Sequence, residues 1–187
     1  MRDLSAARCL PQVSASTVLH ALPPATRYVL RGGSEVRAAA ESALGCGIPA
    51  RPCRATVEGD RAALWLGPDE WLLIAPEPPP RRFAAALAEA LTGLPHSLVD
   101  VSHRQSALAL SGPQATTLLA AGCPLDLDLG PFPVDMCTRT MLAKAEVLLW
   151  RTGPQVFRVE VWRSFVAYVS QFLGEAARGI IQGREPK

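Results

Sequence analysis

Asp100, Ser102 and His103 fall together in "DVSHRQS", and they are the side-chain types of a nucleophile, its base and the acid that orients the base. Their spacing argues against that use. Ser102 and His103 are neighbours whose side chains leave an extended chain on opposite faces, so they do not converge on one proton. The local reading is a strand end whose carboxylate and hydroxyl satisfy nearby backbone groups. With Arg104 they also make a candidate ligand pocket, because polar groups following an apolar strand are placed where ligands often bind.

A second pair of interest lies in "LWLGPDEWLLIAPEPPP", where Asp69 and Glu70 stand between Trp65 and Trp71. Two carboxylates can divide acid and base roles. Adjacent residues on a strand-turn edge diverge, however, and Gly67-Pro68-Asp69 is ordinary turn chemistry. The tryptophans read as packing residues with an edge left for a partner. In "VEVWRSFVAYVSQFL", Ser164 is a candidate helix cap, and Arg163 beside Trp162 is either a surface arginine or a grip on a carboxylate across an interface. Asp69, Glu70, Trp71, Trp162 and Arg163 are accordingly the candidate partner interface.

Three further features have a bland reading. The glycines of "RGG" and "SGP" precede helices and have amides suited to an anion, yet they match neither a dinucleotide nor a phosphate-loop pattern. They read as helix-entry turns. Asp126 and Asp128 in "CPLDLDLGPFP" are two carboxylates without a third metal ligand, as expected of a solvated turn. Cys123 follows a helix C-terminus, where the dipole disfavours a thiolate, so it is not assigned as a nucleophile.

The elements that must hold these residues follow a repeated plan. "TRYVLRGGSEVRAAAESALGCGIP" is a strand, a Gly-rich turn and a helix with Ser34 as its cap, buried through Val36, Ala39, Ala40, Ala43 and Leu44 and stopped by Gly45. "QSALALSGPQATTLLAAGCPLDL" has the same grammar, with Pro113 at the first helical position. Gly67-Pro68 in "ALWLGPDEWLLIAP" then answers to Gly153-Pro154 in "VLLWRTGPQVFRVEV", where Gln155 and Val156 replace the carboxylates. Each copy closes on an amphipathic helix, through Phe83, Leu87, Ala90 and Leu91 in one and Phe165, Val169, Phe172, Leu173 and Ala176 in the other. "SLVDV" reads as a strand linking the copies.

The expected fold class is α+β: two duplicated halves of ferredoxin-like type (strand, helix, antiparallel strands, helix) packed about a pseudo-twofold axis. The expected divisions are an extended segment 1–25, a first half 26–96, a second half 97–178 and a flexible tail 179–187. "PEPPP" reads as a stiff spacer in the first copy alone.

Composition narrows the function classes. The chain has 187 residues, of which 49% are apolar, enough to fill a core and to exclude disorder throughout. Nineteen basic and 17 acidic residues are scattered without a basic stripe, which argues against nucleic acid as a partner. Five cysteines form no C-x-x-C and only three histidines are present, so neither a disulfide framework nor a structural metal is expected. His20, Pro23, Pro24 and Arg27 interrupt the N-terminal apolar stretch, leaving no signal-peptide core or membrane span. The expectation is a cytoplasmic protein with reduced thiols.

Taken together, "LWLGPDEWLL", "DVSHRQSALALSG", "GCPLDL" and "WRSFVAYVSQFL" resemble the gamma-subunit family of heterotetrameric sarcosine oxidase, in family order from about Arg27 to about Ala177. "DVSHRQSALALSGPQATTLL" is similar in pattern to the folate-binding domain of glycine-cleavage aminomethyltransferase, whose fold the duplicated halves would match. The resemblance implies a bacterial four-subunit flavoenzyme that oxidises the N-methyl group of sarcosine, with tetrahydrofolate as acceptor of the one-carbon unit. It implies alpha and beta subunits carrying FAD, FMN and NAD, a delta subunit carrying zinc, and a gamma subunit in a supporting role without cofactor. Where the aminomethyltransferase pattern has Gly-Gly-x-x-Asp-Asp, this chain has Lys144-Ala145-Glu146, so Glu146 joins the candidate pocket as the acid nearest that position. Trp162-Arg163-Ser164 replaces the asparagine-containing segment that follows. These departures favour a non-catalytic subunit over a one-carbon transferase or a stand-alone folate or small-molecule binding module.

Overall fold

The computed structural model describes residues 16–77 and 83–182. The chain forms two units, one comprising Pro24–Gln105 with Asp135–Thr138 and the other the described residues up to Pro23, Ser106–Val134 and those from Arg139 onward.

The first unit contains β2 (Ala25–Gly32), α1 (Ser34–Leu44), β3 (Ala55–Glu58), β4 (Arg61–Gly67), β5 (Glu70–Pro76), α2 (Phe83–Ala90) and β6 (His96–Asp100), while β1 (Val18–Ala21) precedes them in the chain. Its sheet runs β3-β4-β5-β2-β6 with every neighbouring pair antiparallel. β4 and β5 are near-continuous apolar runs because these two strands are buried on both faces. α1 and α2 cover one face. Val36, Ala40 and Leu44 recur every fourth residue on α1 and meet Leu30, Trp71, Leu73, Phe83 and Leu87 in one core cluster. Gly45 ends α1 at φ 65° with its N–H donated to Glu41 O, as the glycine stop predicts.

The second unit contains β1, most of β7 (Gln105–Ser111), α3 (Ala115–Ala120), most of β8 (Cys137–Leu142), β9 (Ala145–Gly153), β10 (Val156–Trp162), a 3₁₀ turn (Arg163–Phe165) and α4 (Val166–Gln182). Its sheet runs β1-β7-β10-β9-β8. Taken by chain order, β3-β4-β5-β2 and β8-β9-β10-β7 are the same arrangement. The fifth strand of each sheet comes from the other copy of the plan: β6, just before β7, pairs with β2, and β1, just before β2, pairs with β7.

Several expectations change accordingly. The strand at 97–101, assigned to the second half by position, is β6 of the first unit's sheet, so the division falls at Gln105 instead of residue 96. The 1–25 segment, beyond residues 1–15 that lie outside the described residues, contributes β1 instead of an extended arm. The tail expected from 179 is helical as far as Gln182, and 183–187 lie outside the described residues. Of "PEPPP", Pro76 ends β5, and the run from 78 lies outside the described residues. Ser34 is the first residue of α1 and not its cap: Gly33 is the N-cap and makes no side-chain cap bond. Gly32 sets that early entry, since a Cβ there would stand 2.6 Å from Val36 Cγ1. Pro113 precedes α3, which starts at Ala115, because Gly112 turns with φ 127° and Thr17 Oγ1 accepts the Gln114 N–H at 3.2 Å. Ser164 lies inside the 3₁₀ turn, and Phe165, expected on the buried face of α4, is 41% exposed.

Candidate functional site

The hairpin between β4 and β5 decides what Asp69 and Glu70 do. Glu70 opens β5 opposite Gly67, and in the second unit Val156 opens β10 opposite Gly153 in the same relation. The carbonyl of Asp69 accepts the Gly32 N–H at 3.0 Å, and the carbonyl of Gln155 accepts the Gly112 N–H at 3.0 Å. The hairpin tip therefore ties down the strand-to-helix turn through its backbone, and a glutamine serves as well as an aspartate. The same bonds occupy the amides of Gly32 and Gly112, two of the glycines that could have held an anion. The Asp69 carboxylate is exposed and pairs with Arg31 Nη2 at 3.1 Å.

Trp71 is corrected as an interface residue. Its side chain is 2% exposed and lies in the first unit's core, with Nε1 donating to Pro49 O at 2.8 Å. The one wet edge expected of it is spent on a buried backbone carbonyl.

At the β6–β7 turn, Asp100 Oδ1 accepts both the Ser102 N–H at 2.8 Å and the Ser102 hydroxyl at 2.6 Å, which closes an Asx turn. Ser102 Oγ in turn accepts the Arg27 N–H at 2.9 Å. The hydroxyl thus pins the turn to β2. His103 and Arg104 are exposed beside it. Asp100 and Ser102 touch directly, with no imidazole between them, so this is not triad geometry. Glu146 is exposed on β9 of the second unit, whereas Asp100, Ser102, His103 and Arg104 belong to the first. The five candidate pocket residues do not form one cluster within either unit.

Asp126 Oδ1 accepts the Asp128 N–H at 3.0 Å, another Asx turn. The described residues contain no group of three or more His, Cys, Asp or Glu side chains fit to hold a metal ion. The sequence also has no dinucleotide glycine pattern.

Cys46, Cys123 and Cys137 are buried and Cys53 is half-buried, all as free thiols; Cys9 lies outside the described residues. Burial pushes the Cys137 thiol up to about 12. Burial raises Cys46 as well.

Three charged residues were missed by the pattern reading. Arg27, Arg151 and Glu160 are all buried. Arg151 reaches from β9 to Phe132 O and to Thr116 Oγ1 at 3.5 Å, and its guanidinium lies 4.6 Å from the Phe157 ring centroid. It fastens the Asp-rich loop and α3 to the sheet. Burial lowers its pKa, and the carboxylate of Asp128 opposes that shift. Glu160 is 0% exposed and takes two bonds from Arg158, Nε at 2.8 Å and Nη2 at 2.6 Å. The available signal was a charge in the middle of "ATRYVLRG", "AEVLLWRTG" and "VFRVEVW", where an apolar residue would otherwise be expected.

Trp162 and Arg163, by contrast, are exposed where β10 passes into the 3₁₀ turn. Phe165 and Tyr168 continue the exposed surface.

Residues 32–179 match the model described as "Sarcosine oxidase, gamma subunit family". The chain belongs to this family. The sarcosine oxidase subunit gamma of Arthrobacter sp is 41% identical over 160 residues, covering 83% of this chain and 77% of the relative. A chain of the heterotetrameric sarcosine oxidase of Corynebacterium sp. U-96, solved in complex with pyrrole 2-carboxylate, aligns with a TM-score of 0.85 and 33% identity over 92% of this chain and 91% of that one. Aminomethyltransferase T of the glycine cleavage system of Bartonella henselae aligns with a TM-score of 0.61 at 14% identity, over 87% of this chain and 46% of that one. The last match shows a shared fold alone. The resemblance carried by the four sequence motifs and the α+β fold class with antiparallel sheets both hold. No helix among the described residues is long and apolar enough to cross a membrane.

Proposed function

We propose that this sarcosine oxidase gamma-family chain is a non-catalytic supporting subunit of a heterotetrameric flavoenzyme that oxidatively demethylates sarcosine. It assembles with alpha, beta and delta subunits in the cytoplasm. The observation that carries the reading is the near end-to-end structural match to a chain of a heterotetrameric sarcosine oxidase.

The local geometry supports assigning the chemistry elsewhere. The Ser102 hydroxyl and the Asp100 carboxylate are committed to one turn, and the Asp69 carboxylate faces Arg31 at the surface. FAD, FMN, NAD and zinc belong on the partner subunits in this reading, with tetrahydrofolate taking up the one-carbon unit within the complex.

Affinity purification of the chain from its native cell, followed by subunit mass analysis and a visible absorption spectrum, tests this. Three partner subunits with flavin bands are expected. A colourless chain recovered without partners overturns the reading.

A further inference from the structure

Every exposed Phe, Trp or Tyr side chain among the described residues lies between Trp162 and Tyr168. Trp162 is 47% exposed, Phe165 41% and Tyr168 37%, while every other described Phe, Trp and Tyr ring is buried or half-buried. Isolated exposed apolar side chains are common on protein surfaces, but three rings around an arginine are the composition of an interface centre.

The backbone gathers these rings. Trp162 is the last residue of β10, and the 3₁₀ turn Arg163–Phe165 follows at once. Phe165 ends that turn three residues beyond Trp162, and α4 begins at the next residue. The rings of Phe165 and Tyr168 meet edge-on with centroids 6.4 Å apart, and Tyr168 Oη accepts the Lys144 N–H at 3.2 Å. The rings of Phe165 and Tyr168 are thus already ordered, which lowers the entropic cost of covering them.

Arg163 is exposed and is the one charged residue from Val161 to Gly174. Two copies of this chain docking face to face through the patch would bring cations against cations, with no acid in the stretch to pair them.

We infer that the Trp162–Arg163–Phe165–Tyr168 face docks onto a different polypeptide of the oxidase, one presenting an apolar socket rimmed by Asp or Glu side chains. This rests on the reading of the chain as a subunit and adds where it is held and by what chemistry. It also separates this face from the sequence-stretch Asp69–Trp71, whose tryptophan is buried.

The test co-expresses all four subunits with a tagged version of this chain and measures partner recovery and affinity. Trp162→Ala, Phe165→Ala and Arg163→Glu should each weaken association about tenfold or more, and Arg163→Glu should also flatten its salt dependence. Val57→Ala, at an exposed position on β3 of the other unit, should leave association unchanged. Covalent labelling of the unaltered chain, free and assembled, should show Trp162 and Tyr168 protected on assembly, a readout independent of whether any variant folds. If the unaltered chain assembles while all three variants associate normally, or if labelling does not change, the docking face is wrong and the subunit reading stands. If the isolated chain instead forms a dimer that Trp162→Ala abolishes, the assigned occupant is wrong. Recovery of no partner by the unaltered chain defeats the subunit reading itself.

Discussion

Among single residues, Cys137 makes the sharpest chemical prediction. Its thiol is buried against Trp65 O, and its pKa rises from 9.0 to about 12 because burial disfavours the thiolate. The folded state therefore holds this proton more tightly than the unfolded chain does. By linkage, the stability contributed is fully present below about pH 9 and is lost as pH rises through about 12. Cys137→Ala should accordingly lose less stability between pH 9 and pH 11 than the unaltered protein, measured as the shift in its denaturation midpoint. An equal loss in both would show that this thiol does not titrate as a buried group. Half-buried Cys53 should also react with an alkylating reagent at pH 8 well before Cys137 does.

At the scale of the element, the β4–β5 hairpin separates packing from surface chemistry within three residues. Trp71→Ala removes a core ring and its bond to Pro49 and should cost about 3–5 kcal/mol of stability. Asp69→Ala removes one side of a pair whose partners are both more than half exposed, and should cost no more than about 1 kcal/mol because solvent screens it. Urea denaturation of the purified protein checks both values, and equal costs would contradict the assigned roles. The hairpin was legible in the sequence because its information is local: Gly-Pro at each tip, an apolar run on each side, and the same register at Gly67–Glu70 and Gly153–Val156. The partners of β1 and β6 were not legible. Val18–Ala21 buries only Leu19, too little for a periodicity to register, and its pairing with β7 depends on residues far along the chain. The buried Arg27, Arg151 and Glu160 were overlooked for a related reason, since charge alone does not reveal which carbonyl or counter-ion will meet it. Among candidate site residues, types were visible but convergence was not: Asp100 and Ser102 meet each other, whereas Glu146 belongs to a different unit.

For the whole molecule, the question is whether a fold shared with a glycine cleavage system aminomethyltransferase comes with the folate binding that the sequence resemblance implies. Fold alone does not decide a site; the groups that would hold the ligand do. Here the acid nearest the expected position, Glu146, is exposed on β9, and the Lys144 N–H before it is bonded to Tyr168. On the first unit, the Asp100 carboxylate and the Ser102 hydroxyl already satisfy one another and the β2 backbone. A ligand entering that turn would have to replace these bonds before gaining any, and a net hydrogen bond contributes only about 1 kcal/mol. Titrating the purified chain with a reduced folate in a calorimeter should therefore give no binding heat and no thermal shift up to about 1 mM, the range of the weakest specific sites. Saturable micromolar binding would overturn this account and restore one-carbon transfer by the chain itself. If Asp100→Ala then abolished the binding while the melting temperature held, the ligand would be assigned to the β6–β7 turn; if Glu146→Ala did so, it would be assigned to β9.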